Sequence, residues 1–330
     1  MAIDLLGIEP HKVSRDLSGY ITYIYGEPKT GKTTLATKMP QALLLAFERG
    51  YNAIPGIRAQ DVSTWGELKQ IVRELKKPEV QNVYKSILVD TVDIASGLCE
   101  KYVCAQNGIE NIGDLPYGQG WGKLKREFEE TFRTIAQLGY AVVFISHMKE
   151  KTFKKKNGQE YTQVVPSCAT THNDIIKNMA DIYAFAEKYE ENGVAKVRLV
   201  LRSVDNSADT GSRFKYIVPS IEFDYDSLVK ALNDAIDMEA KVINNDNLFT
   251  DERDQISIAA NVEYDYEGLM ADFGETVGKL MTENAAYYQP RITQIVDRYL
   301  GKGKKVSEAT IDQCELINLI ITEIKDEFLK

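Results

Sequence analysis

The chain contains 330 residues, of which 44% are hydrophobic and 27% charged, with a formal net charge of −9 at pH 7. This length suggests a large domain followed by a small one, and no apolar run approaches the ~20 residues that a helix needs to cross a bilayer. The acidic balance excludes a uniformly basic nucleic-acid binder. Four scattered cysteines without metal-ligand spacing and the absence of a signal-peptide pattern favour a cytoplasmic protein with reduced thiols.

The most specific motif lies at residues 26–33, Gly-Glu-Pro-Lys-Thr-Gly-Lys-Thr, which match the G-x-x-x-x-G-K-[ST] pattern of a phosphate-binding loop. A strand-like run over 20–25 precedes it and a helical stretch begins at Lys32. The backbone N–H groups of such a loop, together with the N-terminus of its helix, bind a polyphosphate. The alternative is a glycine-rich turn before an ordinary helix.

We therefore predict a site for ATP and Mg²⁺. The predicted nucleotide-binding residues are Gly26, Glu27, Pro28, Lys29, Thr30, Gly31, Lys32, Thr33 and Thr34. Lys32 is expected to reach the β- and γ-phosphates, and the Thr33 hydroxyl to bind Mg²⁺.

After this loop, apolar runs of strand length alternate with amphipathic helical stretches. The predicted strands are 42–47, 86–90, 141–146, 182–186 and 195–202, and the predicted helices are 65–75, 94–103 and 121–138. Apolar runs separated by helices are typical of a mostly parallel sheet that is covered on both faces. The pattern predicts an α/β fold.

The pattern changes toward the C-terminus. We predict a core over 1–236, a polar linker over 237–254 and a small all-helical domain over 255–330. The apolar stripes of this last segment are either its own core or a face for a partner.

Asp90 ends the apolar strand predicted over 86–90. A carboxylate at this place in a P-loop protein holds Mg²⁺ opposite the hydroxyl of the loop, here Thr33. The alternative is an aspartate that caps the turn after a strand.

Several segments resemble the RecA-like core of phage-encoded ATP-binding proteins, a group that includes single-strand annealing recombinases. The resemblance covers residues 18 to about 225 and is carried by 26–33, 44–50, 87–91, 117–121, 143–149, 201–203 and 211–214, with a similar tail at 299–306. It implies a RecA-like P-loop ATPase, located in the cytoplasm of the host cell if it is phage-encoded.

The resemblance also implies roles for four residues. Glu48, just after the strand over 42–47, would position and deprotonate the attacking water, which favours a hydrolase over a nucleotide or small-molecule kinase. His147 takes the place of the polar residue, usually Gln, that senses the γ-phosphate. In RecA-like assemblies a basic residue from a neighbouring subunit completes the site, and Arg213 or Arg202 is the candidate here. A homo-oligomer, as a ring or a filament, is therefore expected.

A lysine-rich segment follows His147 directly and carries the predicted contacts with single-stranded DNA. These residues are Lys149, Lys151, Phe153, Lys154, Lys155 and Lys156, with Tyr117 in a second, glycine-rich loop over 107–121. Lysines bind phosphates and aromatic side chains stack on bases. We expect DNA-dependent ATP hydrolysis in phage recombination, by strand annealing or pairing; the alternative for the lysine run is a solvated loop.

A second function remains open at this point. The chain is alternatively an ATP switch, such as a replication accessory or helicase-loader protein, which acts on a single-strand-binding or replication protein. ATPase stimulation by naked single strands would favour recombination, and stimulation only by a protein partner would favour the switch.

Overall fold

The computed structural model describes residues 10–251 and 264–329. The chain divides into two compact units, Met1–Ile258 and Ala259–Lys330. The first unit contains the sheet, and the second is helical.

The strands of the first unit are β1 (Val13–Ser14), β2 (Ile21–Gly26), β3 (Ala42–Ala46), β4 (Ala59–Asp61), β5 (Ser86–Asp90), β6 (Ala141–Lys154), β7 (Glu160–Pro166), β8 (Ile182–Glu191), β9 (Val194–Val200), β10 (Gly211–Ser212), β11 (Ser220–Glu222) and β12 (Phe249–Thr250). Its helices are α1 (Lys32–Ala36), α2 (Trp65–Leu75), α3 (Pro78–Val83), α4 (Val92–Asn107), α5 (Gln119–Gln137), α6 (Thr170–Met179) and α7 (Tyr225–Ile243).

The main sheet has the strand order β11-β9-β8-β2-β6-β5-β3-β4, and the six strands from β8 to β4 are mutually parallel. Side chains of a strand alternate between the two faces of the sheet. In β2, Tyr23 and Tyr25 therefore belong to one buried core and Ile24 to the other. The predicted α/β fold with a mostly parallel, doubly covered sheet is confirmed.

Two strands are longer than their apolar runs predicted. β6 continues to Lys154 and β8 to Glu191, and each forms an antiparallel hairpin, with β7 and β9 respectively. The predicted basic loop over 149–156 is thus mostly strand, because its backbone pairs with that of β7 as far as Lys154. Since Gly26, the end of β2, pairs with His147 and Ala186, both hairpins extend beyond the phosphate-binding end of β2.

The predicted polar linker over 237–254 is wrong for most of its described part. Residues 237–243 belong to α7, and β12 pairs in parallel with β1. The polar residues of this segment lie on the exposed face of the amphipathic helix α7, and the opposite face buries Ala240. The predicted core boundary at residue 236 thus falls inside a helix, and the end of the predicted linker, 252–254, lies outside the described residues.

The second unit contains α8 (Tyr266–Leu300), interrupted by non-helical backbone at Asn284, and α9 (Cys314–Phe328). The predicted apolar stripes meet each other in a buried cluster of Leu280, Ile292, Ile295, Val296, Ile317, Ile320, Ile321 and Ile324. The stripes therefore form the core of this unit. In residues 10–251 and 264–329, no helix is both long enough and apolar enough to span a membrane.

Candidate nucleotide site

The phosphate-binding loop leaves β2 at Gly26 and enters α1 at Lys32, as the motif requires. Gly31 has φ +91°, a conformation that favours glycine. Gly26 has a different reason, because a Cβ atom there would lie 2.6 Å from the Ala186 carbonyl oxygen of β8. The loop is thus built directly against the neighbouring strand.

Lys32 places its ammonium inside the loop. The Nζ atom donates to the carbonyl oxygens of Gly26 at 3.0 Å and Glu27 at 2.7 Å. Burial lowers the pKa of Lys32, and the nearby carboxylates of Asp90 and Glu48 oppose this effect. The ammonium is therefore fixed between the start of the loop and the acidic side of the site.

Thr33 and Asp90 lie together, as predicted for a shared cation. The Thr33 hydroxyl donates to Asp90 Oδ2 at 2.6 Å. Burial raises the pKa of Asp90, and the hydrogen bond from Thr33 partly offsets this. These hard oxygen donors fit Mg²⁺, which binds through one or two protein oxygens and keeps several waters.

Glu48 and His147 meet across the same site. Their Oε2 and Nε2 atoms are 3.6 Å apart. Glu48 is brought there because β3 pairs with β5, and its backbone N–H donates to the Asp90 carbonyl oxygen at 3.3 Å. His147 is oriented through its backbone N–H, which donates to Asp93 Oδ2 at 3.2 Å.

The residues named above surround one cavity of about 390 Å³. Its lining comprises Pro28, Lys29, Gly31, Lys32, Thr33, Thr34, Glu48, Gly50, Ala53, Ile54, Asp90 and His147. The strand ends thus bring together most of the predicted nucleotide, metal and catalytic residues.

The two candidate arginines do not line this cavity. The Arg213 guanidinium lies 3.1 Å from Asp181 Oδ1, and Asp181 also accepts a hydrogen bond from the backbone of Ile21, at the opposite end of β2 from the loop. Arg202 donates to the backbone carbonyls of Lys215 and Phe214. Neither can act on its own site from these positions, so a role toward a neighbouring subunit stays a prediction.

The lysine-rich segment is distributed over two faces of the β6–β7 hairpin. Because Lys151 pairs with Gln163 and Phe153 with Tyr161, these four side chains share one face. The Phe153 and Tyr161 rings stack at a centroid distance of 5.5 Å, and the Lys151 and Lys155 ammonium groups lie over them at 5.1 and 5.6 Å respectively. We call the face of the hairpin that carries these side chains its aromatic face.

The remaining predicted DNA contacts are arranged differently. Lys154 lies on the opposite face, across from Glu160, and Lys156 lies in the turn at the tip. Lys149 is tied at the base of the hairpin, where its ammonium donates to the Ser167 carbonyl oxygen at 3.1 Å. Tyr117 is fully exposed, in the short turn that precedes α5.

The base of the hairpin is bonded to the nucleotide site. Ser167, just after β7, donates its hydroxyl to Asp93 and its backbone N–H to the His147 carbonyl oxygen at 2.9 Å. Asp93 therefore holds both His147 and the returning strand of the hairpin.

Lys188, which sequence reasoning missed, contacts the phosphate-binding loop although it does not itself line the cavity. It lies within β8, two residues beyond the last pair of β8 with β2, and its ammonium lies 2.6 Å from Glu27 Oε2 in the phosphate-binding loop. The only signal in the sequence is the alternation Ala184, Ala186, Lys188, which places the lysine on one face of a strand whose partner the sequence does not reveal.

Three features define a P-loop NTPase with a RecA-like core. They are the P-loop, the Thr33–Asp90 pair, and the position of β6 between β2 and β5 in the sheet. The family described as an AAA domain matches residues 18–224, more than half of the chain. The protein therefore belongs to this family, which uses a nucleotide, generally with Mg²⁺.

Two individual proteins are similar to the chain. The SPbeta prophage-derived protein YorG of Bacillus subtilis (strain 168) is 29% identical over 339 residues. The alignment covers 99% of this chain and 99% of YorG. The KaiC-like protein PH0186 of Pyrococcus horikoshii OT3 matches with a TM-score of 0.35 and 13% identity, over 60% of this chain and 90% of its own.

Proposed function

We propose that the protein binds Mg²⁺ and ATP, hydrolyses the terminal phosphate, and acts on single-stranded DNA in phage recombination by annealing or pairing strands. The observation that carries the ATPase part is the placement of Glu48 and His147, 3.6 Å apart, on the wall of the P-loop cavity. A carboxylate in that position has no role in phosphate binding alone.

The chemistry follows from the positions of the side chains. Glu48 accepts a proton from a water molecule whose oxygen attacks the terminal phosphorus, while the bond from that phosphorus to the ADP oxygen breaks. Lys32 stabilises the charge on the transferring phosphoryl group, and His147 donates to it or orients the water. Mg²⁺, held by Thr33 and Asp90, would neutralise phosphate charge.

DNA contact is proposed for the aromatic face of the β6–β7 hairpin, with Lys149, Lys154, Lys156 and Tyr117 as further contacts. Stacked aromatic rings flanked by ammonium groups are the features that bind bases and phosphates of a single strand. The hairpin begins at His147 and closes on Asp93, so a shift of His147 at the nucleotide would be transmitted to the DNA-binding face.

Two further parts of the proposal concern assembly and setting. We propose a homo-oligomer in which Arg202 or Arg213 acts on the site of the neighbouring subunit. The setting in a phage is supported by the prophage origin of YorG, which aligns with 99% of the chain.

The deciding experiment measures ATP hydrolysis with and without single-stranded DNA, over a series of salt concentrations, for the wild type and Glu48→Gln. We expect DNA to stimulate the wild type and salt to weaken the stimulation, because phosphate contacts release counterions. Loss of the base should lower the rate by about 10²–10⁴-fold while ATP binding is kept. Hydrolysis that does not respond to DNA would instead support the ATP switch that acts through a protein partner.

A further inference from the structure

Lys188 lies beside the phosphate-binding loop on the side opposite to His147. β2 is flanked by β6 and β8, and its last residue, Gly26, pairs with His147 of the one and Ala186 of the other. Two residues beyond Ala186, Lys188 has the same strand parity, and Ala184 and Ala186 belong to the core cluster that also contains Leu35 of α1. Lys188 therefore projects on the side of the sheet that carries α1.

Lys188 forms an exposed ion pair with Glu27. Its Nζ atom lies 2.6 Å from Glu27 Oε2, and the two side chains are 43% and 45% exposed. An ion pair that is exposed to this degree is weak and exchanges its partner at little cost. A four-carbon lysine side chain is also flexible enough to reach a second partner.

The position of Glu27 identifies which part of a nucleotide would be close. The lysine of a P-loop reaches the β- and γ-phosphates, and the Lys32 ammonium rests on the carbonyl oxygens of Gly26 and Glu27. The start of the loop is thus the end that faces the terminal phosphate. Lys188, held by Glu27, is at that same end. Burial is the main cause of the lowered pKa of Lys32, and the positive charge of Lys188 lowers this pKa further.

We propose that Lys188 is a nucleotide-binding residue whose ammonium moves from the Glu27 carboxylate to the terminal phosphate of bound ATP. Glu27 is then its counter-ion when that phosphate is absent. ADP lacks the terminal phosphate, so Lys188 distinguishes the two nucleotides and the β8–β9 hairpin, which carries it, follows the nucleotide state. This inference rests on the proposed ATP-binding function.

The test is calorimetric titration of the full-length protein, in the presence of Mg²⁺, with ADP and with the non-hydrolysable ATP analogue AMP-PNP. For Lys188→Ala we expect a loss of about tenfold in AMP-PNP affinity, the value of a hydrogen bond to a charged group, and little change for ADP. Lys188→Arg should restore most of the difference. Lys196→Ala is the matched control, since Lys196 is a paired lysine of the same hairpin, bonded to Glu191.

Glu27→Gln separates a binding role from a purely structural one. If Lys188 binds the phosphate, removal of its counter-ion raises AMP-PNP affinity, opposite in sign to Lys188→Ala. Equal losses of both nucleotides in both variants would show that the ion pair only fixes the loop, and would overturn the proposal. So would an unchanged affinity in Lys188→Ala. A wild type that binds neither nucleotide would instead overturn the proposed ATPase function.

Discussion

Gly26 lies where the phosphate-binding loop leaves β2 and where β8 approaches it most closely. A Cβ atom at this position would lie 2.6 Å from the Ala186 carbonyl oxygen and 2.9 Å from the Ala186 Cβ atom. Both atoms belong to a strand that is paired along its length, so neither can move freely. We expect Gly26→Ala to lower the free energy of unfolding by about 1–3 kcal/mol, as overpacking does in a core.

Urea unfolding measures this effect, and Gly122→Ala provides the control. Gly122 is exposed in α5 and its Cβ atom would meet nothing within 4 Å. Alanine is favoured over glycine in a helix by about 1 kcal/mol, so the control should stabilise. The same sign for both substitutions would contradict the close approach of β8 to the loop.

His172 gives the first unit a stability that depends on pH. Its Nδ1 atom is 2.6 Å from the Ser96 hydroxyl oxygen, and its ring stacks on Phe128 at a centroid distance of 4.0 Å. Burial lowers the pKa of His172 to about 4. The unfolded chain, with a pKa of about 6.5, takes up the proton first, so stability falls as the pH decreases from about 6.5 to about 4.

We expect this residue to account for about 2 kcal/mol of stability lost between about pH 7.5 and pH 5. The measurement compares urea unfolding of the wild type and His172→Gln at both pH values. Glutamine does not titrate, so the variant starts less stable but loses less on acidification. Parallel losses in the two proteins would place the pH dependence elsewhere.

At the scale of elements, the two faces of the β6–β7 hairpin should differ in their effect on DNA. Phe153→Ala removes a stacking ring, and base stacking contributes about 1–3 kcal/mol per base. Lys151→Ala should also lower the slope of log affinity against log salt by about 0.7, the value for one phosphate of a single strand. Titration of a fluorescent oligonucleotide measures both effects.

Lys154→Ala is the control on the opposite face of the hairpin. It removes the same charge as Lys151→Ala, but Lys154 is paired with the acidic Glu160. We expect its effect to be smaller than that of Lys151→Ala. Equal effects from both faces would mean that the hairpin attracts DNA only through its total charge.

The hairpins also show what the sequence could not predict. Buried parallel strands are read from apolar runs, and the run over 86–90 predicts β5 with its observed bounds. The helical spacing over 65–75 likewise predicts α2 with its observed bounds. The outer part of β6, residues 149–154, has no apolar run. Its extended form depends on pairing with β7, which no local pattern specifies.

At the scale of the whole molecule, the same limit applies to the site. The loop, Glu48, Asp90 and His147 could be predicted to converge, because the ends of parallel strands meet at one edge of a sheet. Lys188 could not, since it reaches Glu27 across 161 positions of sequence through the register of β8. The polar linker was wrong for a related reason: composition alone does not distinguish a linker from the exposed face of a helix.

The boundary of the first unit provides the last prediction. A chain ending at the predicted boundary, Ile236, would lose residues 237–243 of α7 and the whole of β12. With them go the burial of Phe249, the pairing of β12 with β1, and the ion pair of 2.9 Å between Arg15 and Asp237. A chain ending at Asp251 keeps all of these contacts.

We expect the longer form to unfold cooperatively and to bind ATP with the affinity of the full chain, because both cores of the first unit are complete within it. The form ending at Ile236 should be less stable by about 3 kcal/mol or more, since loss of a buried phenylalanine alone costs about that amount. Phe249→Ala in the longer form separates this contribution from that of the helix. Equal stability of the two truncated forms, measured by urea unfolding, would mean that β12 and the end of α7 are accessory to the fold. A difference of the expected size would place the end of the nucleotide-binding unit beyond β12, so that its folding requires the separate two-stranded sheet that β12 forms with β1.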